Sequence, residues 1–170
     1  IPFTDDAVIH TAKRIKQVED ILERPFILEN VSFYAAPGAQ MTEQEFVNAV
    51  LQEADCKLLL DVNNIYVNSI NHQYDAAAYL AAMPTKQIAY LHIAGHYEEE
   101  ADLMVDTHGA DIIDPVWALL QQCYQIHGVH PTLLERDFNI PKTDILLNEI
   151  NQIHQYQQNA LTQQSILRKA

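Results

Sequence analysis

Four short apolar runs punctuate the chain: FIL at 26–28, LLL at 58–60, AYL at 89–91 and TLL at 132–134. Between them, apolar positions recur at helical spacing. Val8, Ile15, Val18 and Leu22 predict a helix over 4–23 that opens on Thr4 as its cap. Thr42 and Glu45 make a capping-box pattern at the head of a helix over 42–54. An Ala-rich helix over 75–83 stops at Pro84, and one over 114–127 has Pro115 in its first turn and Gly128 beyond its last residue. The last helix, from about 141, keeps an apolar stripe through Leu146, Ile150 and Ile153, then enters Gln-rich sequence read as solvent-facing or frayed. Unbroken apolar runs suit strands of a parallel sheet buried on both faces. Helix–strand alternation of this kind is the mark of βα units in an α/β fold. Periodicity alone leaves a closed barrel and an open doubly wound sheet both possible. No glycine-rich phosphate loop follows any of the runs.

What ends each run is more telling. The four continue as FILE, LLLD, AYLH and TLLE, closing on Glu29, Asp61, His92 and Glu135. A charge at the end of a buried strand is unfavourable unless something binds it. In α/β folds the carboxyl ends of the strands line the site face, so four successive units deliver four potential ligands to one rim. Asp106 and His108, two residues apart, point to the same side if the backbone there is extended. Asn64 adds an amide oxygen where the chain leaves the second strand. Asn63 reads as structural. Together these donors form an oxygen–nitrogen set without thiolates, which suits iron, manganese or zinc, and there are enough of them for two or three ions. The alternative for Glu29, Asp61 and Glu135 is pairing with Lys or Arg, for which Arg24 and Arg136 are the nearest in sequence. His92 has the alternative of a core histidine satisfied by a carbonyl. His96 has three roles open to it: ligand, acid–base group or hydrogen-bond donor to a ligand. Arg136 and Asp137 are read as groups that orient the ligands. His10, His72, His127, His130 and His154 fall away from the strand ends and read as surface residues.

Composition narrows the picture. With 170 residues, 48% hydrophobic and 19% charged, the chain has the size and balance of one globular domain. The polar end divides it into a metal-binding domain over 1–158 and a tail over 159–170. Ten Lys+Arg against 23 Asp+Glu give a net charge of −13, with no basic stripe for nucleic acid. No apolar run approaches the ~20 residues that span a bilayer, and no secretory signal opens the chain. Cys56 and Cys123 read as reduced, buried thiols of a cytoplasmic protein. Asn30-Val31-Ser32 matches a glycosylation sequon in what reads as buried backbone, a coincidence.

The motifs ENVSFY at 29–34, LLLDVNNIYVN at 58–68, LHIAGH at 91–96, VDTHG at 105–109 and TLLERD at 132–137 together resemble one family. It is the domain of unknown function 692 group, described as multinuclear non-haem iron-dependent oxidases. The resemblance implies a xylose-isomerase-like (β/α)8 TIM barrel, of which this chain would hold about the last four βα units. It implies metal ligation by Glu29, Asp61, Asn64, His92, Asp106, His108 and Glu135, with His96, Arg136 and Asp137 as catalytic candidates. It further implies two or three iron ions, with manganese or zinc as substitutes, and dioxygen-dependent modification of ribosomally made peptides, often at cysteine. A companion protein that recognises the peptide leader would assist. The histidine ligands that the family draws from its first four strands have no counterpart here. Either a first half is missing or two chains associate, and the piece alone is expected to be inactive or badly impaired.

Two other readings compete. A metal-dependent sugar isomerase or phosphoester hydrolase on the same scaffold would work with manganese or zinc without oxygen. A non-enzymatic half-barrel binding module would ignore chelators.

Overall fold

The computed structural model describes residues 1–167. Its elements are α1 (Asp5–Leu22), β1 (Ile27–Glu29), α2 (Glu43–Ala54), β2 (Lys57–Asp61), α3 (Val62–His72) and α4 (Ala76–Ala81). A short turn of 3₁₀ helix then leads into β3 (Ile88–Ile93), β4 (Tyr97–Glu100), β5 (Leu103–Val105), α5 (Asp114–His127), β6 (Thr132–Leu134) and α6 (Thr143–Leu167). β1, β2, β3 and β6 form one parallel sheet in that order, and β4 and β5 pair as a separate antiparallel hairpin. All four strands are the apolar runs picked out above.

Local chemistry explains the helix ends. The Thr4 side chain accepts the Ala7 N–H at the start of α1, and Thr42 and Glu45 close a full capping box on α2. α5 has Pro115 in its first turn and ends at Gly128, whose φ of 88° suits glycine.

The two faces of the sheet differ. Leu58, Leu60, Leu91 and Ile93 are wholly buried in one cluster with Val50 and Leu51 of α2 and Val116 and Leu120 of α5. Alternation sends Leu59, Asp61, His92 and Leu133 to the opposite face, where pairing sets Asp61 beside His92 and His92 beside Leu133. There Leu59, Asp61 and His92 are buried but Leu133 is 53% exposed, so burial on both faces, as expected from the unbroken runs, fails at the β6 edge. A four-stranded parallel sheet of this kind is compatible with part of a TIM barrel, with β1 and β6 as its two edge strands.

Three features depart from the sequence reading. Residues 62–72 are helical, although VNNIYVNSINH is rich in Asn and β-branched residues that favour other states. The hairpin of β4 and β5 was not foreseen either. The Gln-rich end, read as solvent-facing or frayed, is solvent-facing over most of 161–166 but not frayed: α6 continues through Leu167, so the division at 159 falls inside a helix; residues 168–170 lie outside the described residues. The two cysteines are free and buried, as expected. Among the described residues no helix is long and apolar enough to cross a membrane.

Candidate metal centre

Glu29, Asp61, His92 and Glu135 meet. One ligand atom from each lies within 4.8 Å of all the others. His92 Nδ1 is 2.9 Å from Glu135 Oε2, 3.6 Å from Glu29 Oε1 and 3.8 Å from Asp61 Oδ2. The pairing of β3 with β6 extends one step further through the Glu135 N–H to the Ile93 carbonyl. That step keeps Glu135 on the same face as Leu133 and His92.

A fully buried carboxylate at Asp61 needs explanation. Its Oδ1 accepts the Asn64 N–H at 2.7 Å and so caps α3, while Oδ2 has no hydrogen-bond partner and faces the cluster. Asn30 holds the Asp61 backbone on both sides. Its amide donates to the Asp61 carbonyl and its oxygen accepts the Asp61 N–H, each at 2.9 Å. That buried amide is no glycan acceptor. Burial pushes the Asp61 carboxyl well above its ordinary range, the Asn64 N–H pulls it down, and the charges of Asp106 and Glu29 push it up again. Burial would lower His92, but the contact with Glu29 and the surrounding carboxylates outweigh it and hold the ring above its ordinary value.

Asp61 Oδ2, His92 Nδ1, Glu135 Oε2 and both ring nitrogens of His108 are buried without an aligned hydrogen-bond partner. Several lie under 3 Å from an opposite group, so the shortfall is one of direction. Asp61 Oδ2, His92 Nδ1 and Glu135 Oε2 thus lie close together without satisfying one another, a need that a shared cation would meet. No Lys or Arg among the described residues pairs with Glu29, Asp61 or Glu135. Arg136 instead reaches Glu149 at 2.6 Å, Asp111 at 3.0 Å and the Ala110 carbonyl. It ties the loop before α5 to α6 and does not touch the clustered carboxylates.

A second grouping joins His108, Glu135 and Asp137, with Glu135 common to both. His108 Nδ1 stands 3.5 Å from Glu135 Oε2 and 3.4 Å from Asp137 Oδ2, and its Nε2 lies 2.7 Å from Asp106 Oδ1. The contact with Asp106 pushes His108 up to about 9, against burial. Asp106 thus sits at the far ring nitrogen and belongs to neither grouping. The expected extended backbone is absent: His108 has φ 50°, and a left-handed turn brings the ring over Glu135. Asn64 likewise braces the chain, accepting the Ser32 hydroxyl at 2.8 Å and donating to the Asn30 carbonyl at 3.0 Å. One lone pair of its oxygen remains.

α3 supplies more than Asn64. Asn63 joins His96 to Asp106, Asn68 holds the backbone of Val31 and Phe33, and Asn71 holds both backbone groups of Met104. The spacing 63, 64, 68, 71 is a helical polar stripe, the signal that would have revealed the helix and its role. Among histidines read as surface residues, His127 is buried between Thr85 and the Leu80 carbonyl, and His72 stacks on Phe33 at 3.9 Å.

A parallel α/β sheet whose strand ends gather carboxylates and imidazoles, with no Lys or Arg partner among the described residues, presents a cluster that could hold metal ions. The chain belongs to the family described as RiPP precursor modification enzyme MbnB/TglH/ChrH, whose model matches residues 1–158. It is similar to a UPF0276 protein of Shewanella sediminis, 79% identical over 157 residues, which are 92% of this chain and 56% of that protein. A UPF0276 protein of Shewanella loihica is 74% identical over 161 residues (95% and 58%), and one of Pseudomonas aeruginosa 54% over 160 (94% and 56%). The chain therefore spans a little over half the length of these relatives.

Proposed function

We propose that the chain carries the ligand-bearing strands of an iron-dependent oxidase that modifies ribosomally made peptides with dioxygen. The observation that carries the reading is the shared set of unpartnered atoms on Asp61, His92 and Glu135, which come from the ends of three strands and lie within 4.8 Å of one another. An oxygen–nitrogen set without thiolate suits iron or manganese, and membership of a peptide-modifying family supports the substrate class. Glu29, Asp61, His92 and Glu135 would hold one ion, and His108, Glu135 and Asp137 a second. Bound iron supplies the redox couple through which dioxygen oxidises the peptide.

The chain's own residues do the rest. Asp106, against the far nitrogen of His108, fixes the ring and raises its basicity as a donor. Asn64, beside Asp61, offers its remaining lone pair or serves only to hold the loop that follows β1. Arg136 acts at a distance by holding the loop before α5. His96 is the acid–base candidate. A companion protein recognises the peptide leader, the two free buried thiols accord with a reducing cytoplasm, and the relatives' additional length closes the barrel. Metal analysis and Mössbauer spectroscopy of the full-length gene product, with oxygen uptake in the presence of a Cys-bearing peptide from a neighbouring reading frame, test this. Iron and peptide-dependent uptake are expected, both lost in Glu29→Ala and His108→Ala. Full activity with zinc in the absence of oxygen would establish the hydrolase or isomerase reading instead.

A further inference from the structure

We infer that Asn63 is a positioning residue that sets the tautomer of His96 and the orientation of Asp106 together, leaving His96 Nε2 as a fixed proton acceptor beside the centre. The part concerning the centre rests on the reading of the cluster as a cation site.

Asn63 is wholly buried on α3, and among the described residues its amide is hydrogen-bonded to two side chains. One end is 2.9 Å from Asp106 Oδ1 and the other 2.7 Å from His96 Nδ1. A carboxylate offers only acceptors, so the NH₂ must face Asp106 and the amide oxygen must face His96. That oxygen can only accept, so the hydrogen of the His96 ring resides on Nδ1. A neutral imidazole has one such hydrogen, and Nε2 is left with its lone pair. Burial holds His96 below its ordinary pKa, which keeps the ring neutral.

Two further contacts fix the ring's place. Tyr66, one turn along α3, lies against His96 with ring centroids 5.2 Å apart. Gly95 presses on the loop that carries Asp106 and His108, so closely that a Cβ there would stand 2.1 Å from the Ala110 carbonyl oxygen. His96, Asn63, Asp106 and His108 therefore form a continuous series of contacts, from a ring outside the two ligand groupings to one inside them. Removing the amide frees both ends.

Long-range proton–nitrogen correlation spectra of the metal-free chain with nitrogen-labelled histidine read the tautomer directly, and calorimetry with manganese(II) reads the centre. The native chain is expected to show His96 protonated on Nδ1. Asn63→Ala should relax the ring toward the Nε2–H form and weaken manganese binding by up to about tenfold, the low end of what removing a ligand's own outer partner costs, because Asn63 acts through Asp106. Asn63→Asp keeps an acceptor for His96 but sets a second carboxylate against Asp106, so it should restore the Nδ1–H ring and not the manganese affinity. A native His96 protonated on Nε2 overturns the inference, as does an Asn63→Ala chain with unchanged tautomer and unchanged affinity. A native chain with the Nδ1–H ring that binds neither manganese(II) nor iron(II) sinks the oxidase reading instead, and the two failures are distinct.

Discussion

Asp61 is asked to do two things with two oxygens, and the substitution Asp61→Asn separates them. An asparagine keeps the oxygen that caps α3 but removes the buried charge. The metal-free chain should therefore gain stability at pH 8, with a rise of several degrees in Tm at roughly 2–4 °C per kcal/mol for a chain of this size, while manganese no longer stabilises it. A lower Tm in the metal-free state would show that the charge is compensated by something other than a cation. Gly95→Ala has the opposite sign. Its Cβ meets backbone, which yields less readily than a side-chain end, so a loss of about 3 kcal/mol, the upper end for overpacking, is expected in denaturant melts. Unfolding equal to the native chain would mean that the 110–111 backbone moves aside freely. The cluster of Glu29, Asp61, His92 and Glu135 at the strand ends was legible because a charge closing an apolar run is conspicuous. Asn63 was not, because an amide's importance lies in what flanks it, and His96 and Asp106 are far from it in sequence.

At the level of elements, α3 and the burial of Glu43 in the first turn of α2 were the parts hardest to foresee. α3 lacks good helix formers, and tertiary contacts through four asparagines override that weakness. Glu43 stands in the first turn of α2, where acids are common. In the fold it is 7% exposed and accepts from Tyr79 at 3.1 Å, Asn68 at 3.2 Å and Tyr74 at 3.3 Å. Burial lifts its carboxyl to about 7, from 4.5, against those hydrogen bonds. The folded chain binds this proton more tightly than the unfolded one, so the contribution is complete below 4.5 and is lost as pH climbs through about 7. Stability should fall across that window by about 3 kcal/mol at 1.36 kcal/mol per unit. Glu43→Gln should flatten this part of the curve in chemical denaturation at graded pH. An equally steep curve in the variant would assign the slope to other groups.

Taken whole, the molecule brings together residues from 29 to 137, so a cation site there would exist only when the sheet is formed. Manganese(II) at a hundred times its Kd should add about 2.7 kcal/mol, or roughly 5–10 °C in Tm, and a chelator should reverse it. An unchanged Tm would favour a binding module without metal. The parallel sheet was readable from four apolar runs and the helices between them. The open face was not: a run such as TLL looks the same whether its outward residue is covered or, like Leu133, half in solvent. Pairing, which sets that face, depends on register between segments some 30 residues apart, and a linear pattern does not encode it.

The Asn64 amide proton, tethered to one oxygen of Asp61 while the other oxygen faces the cluster, acts as a strain gauge wired into the backbone. Whatever tugs on that carboxylate is felt at the first turn of α3. A single amide resonance then reports on the strand ends without any probe having to enter them.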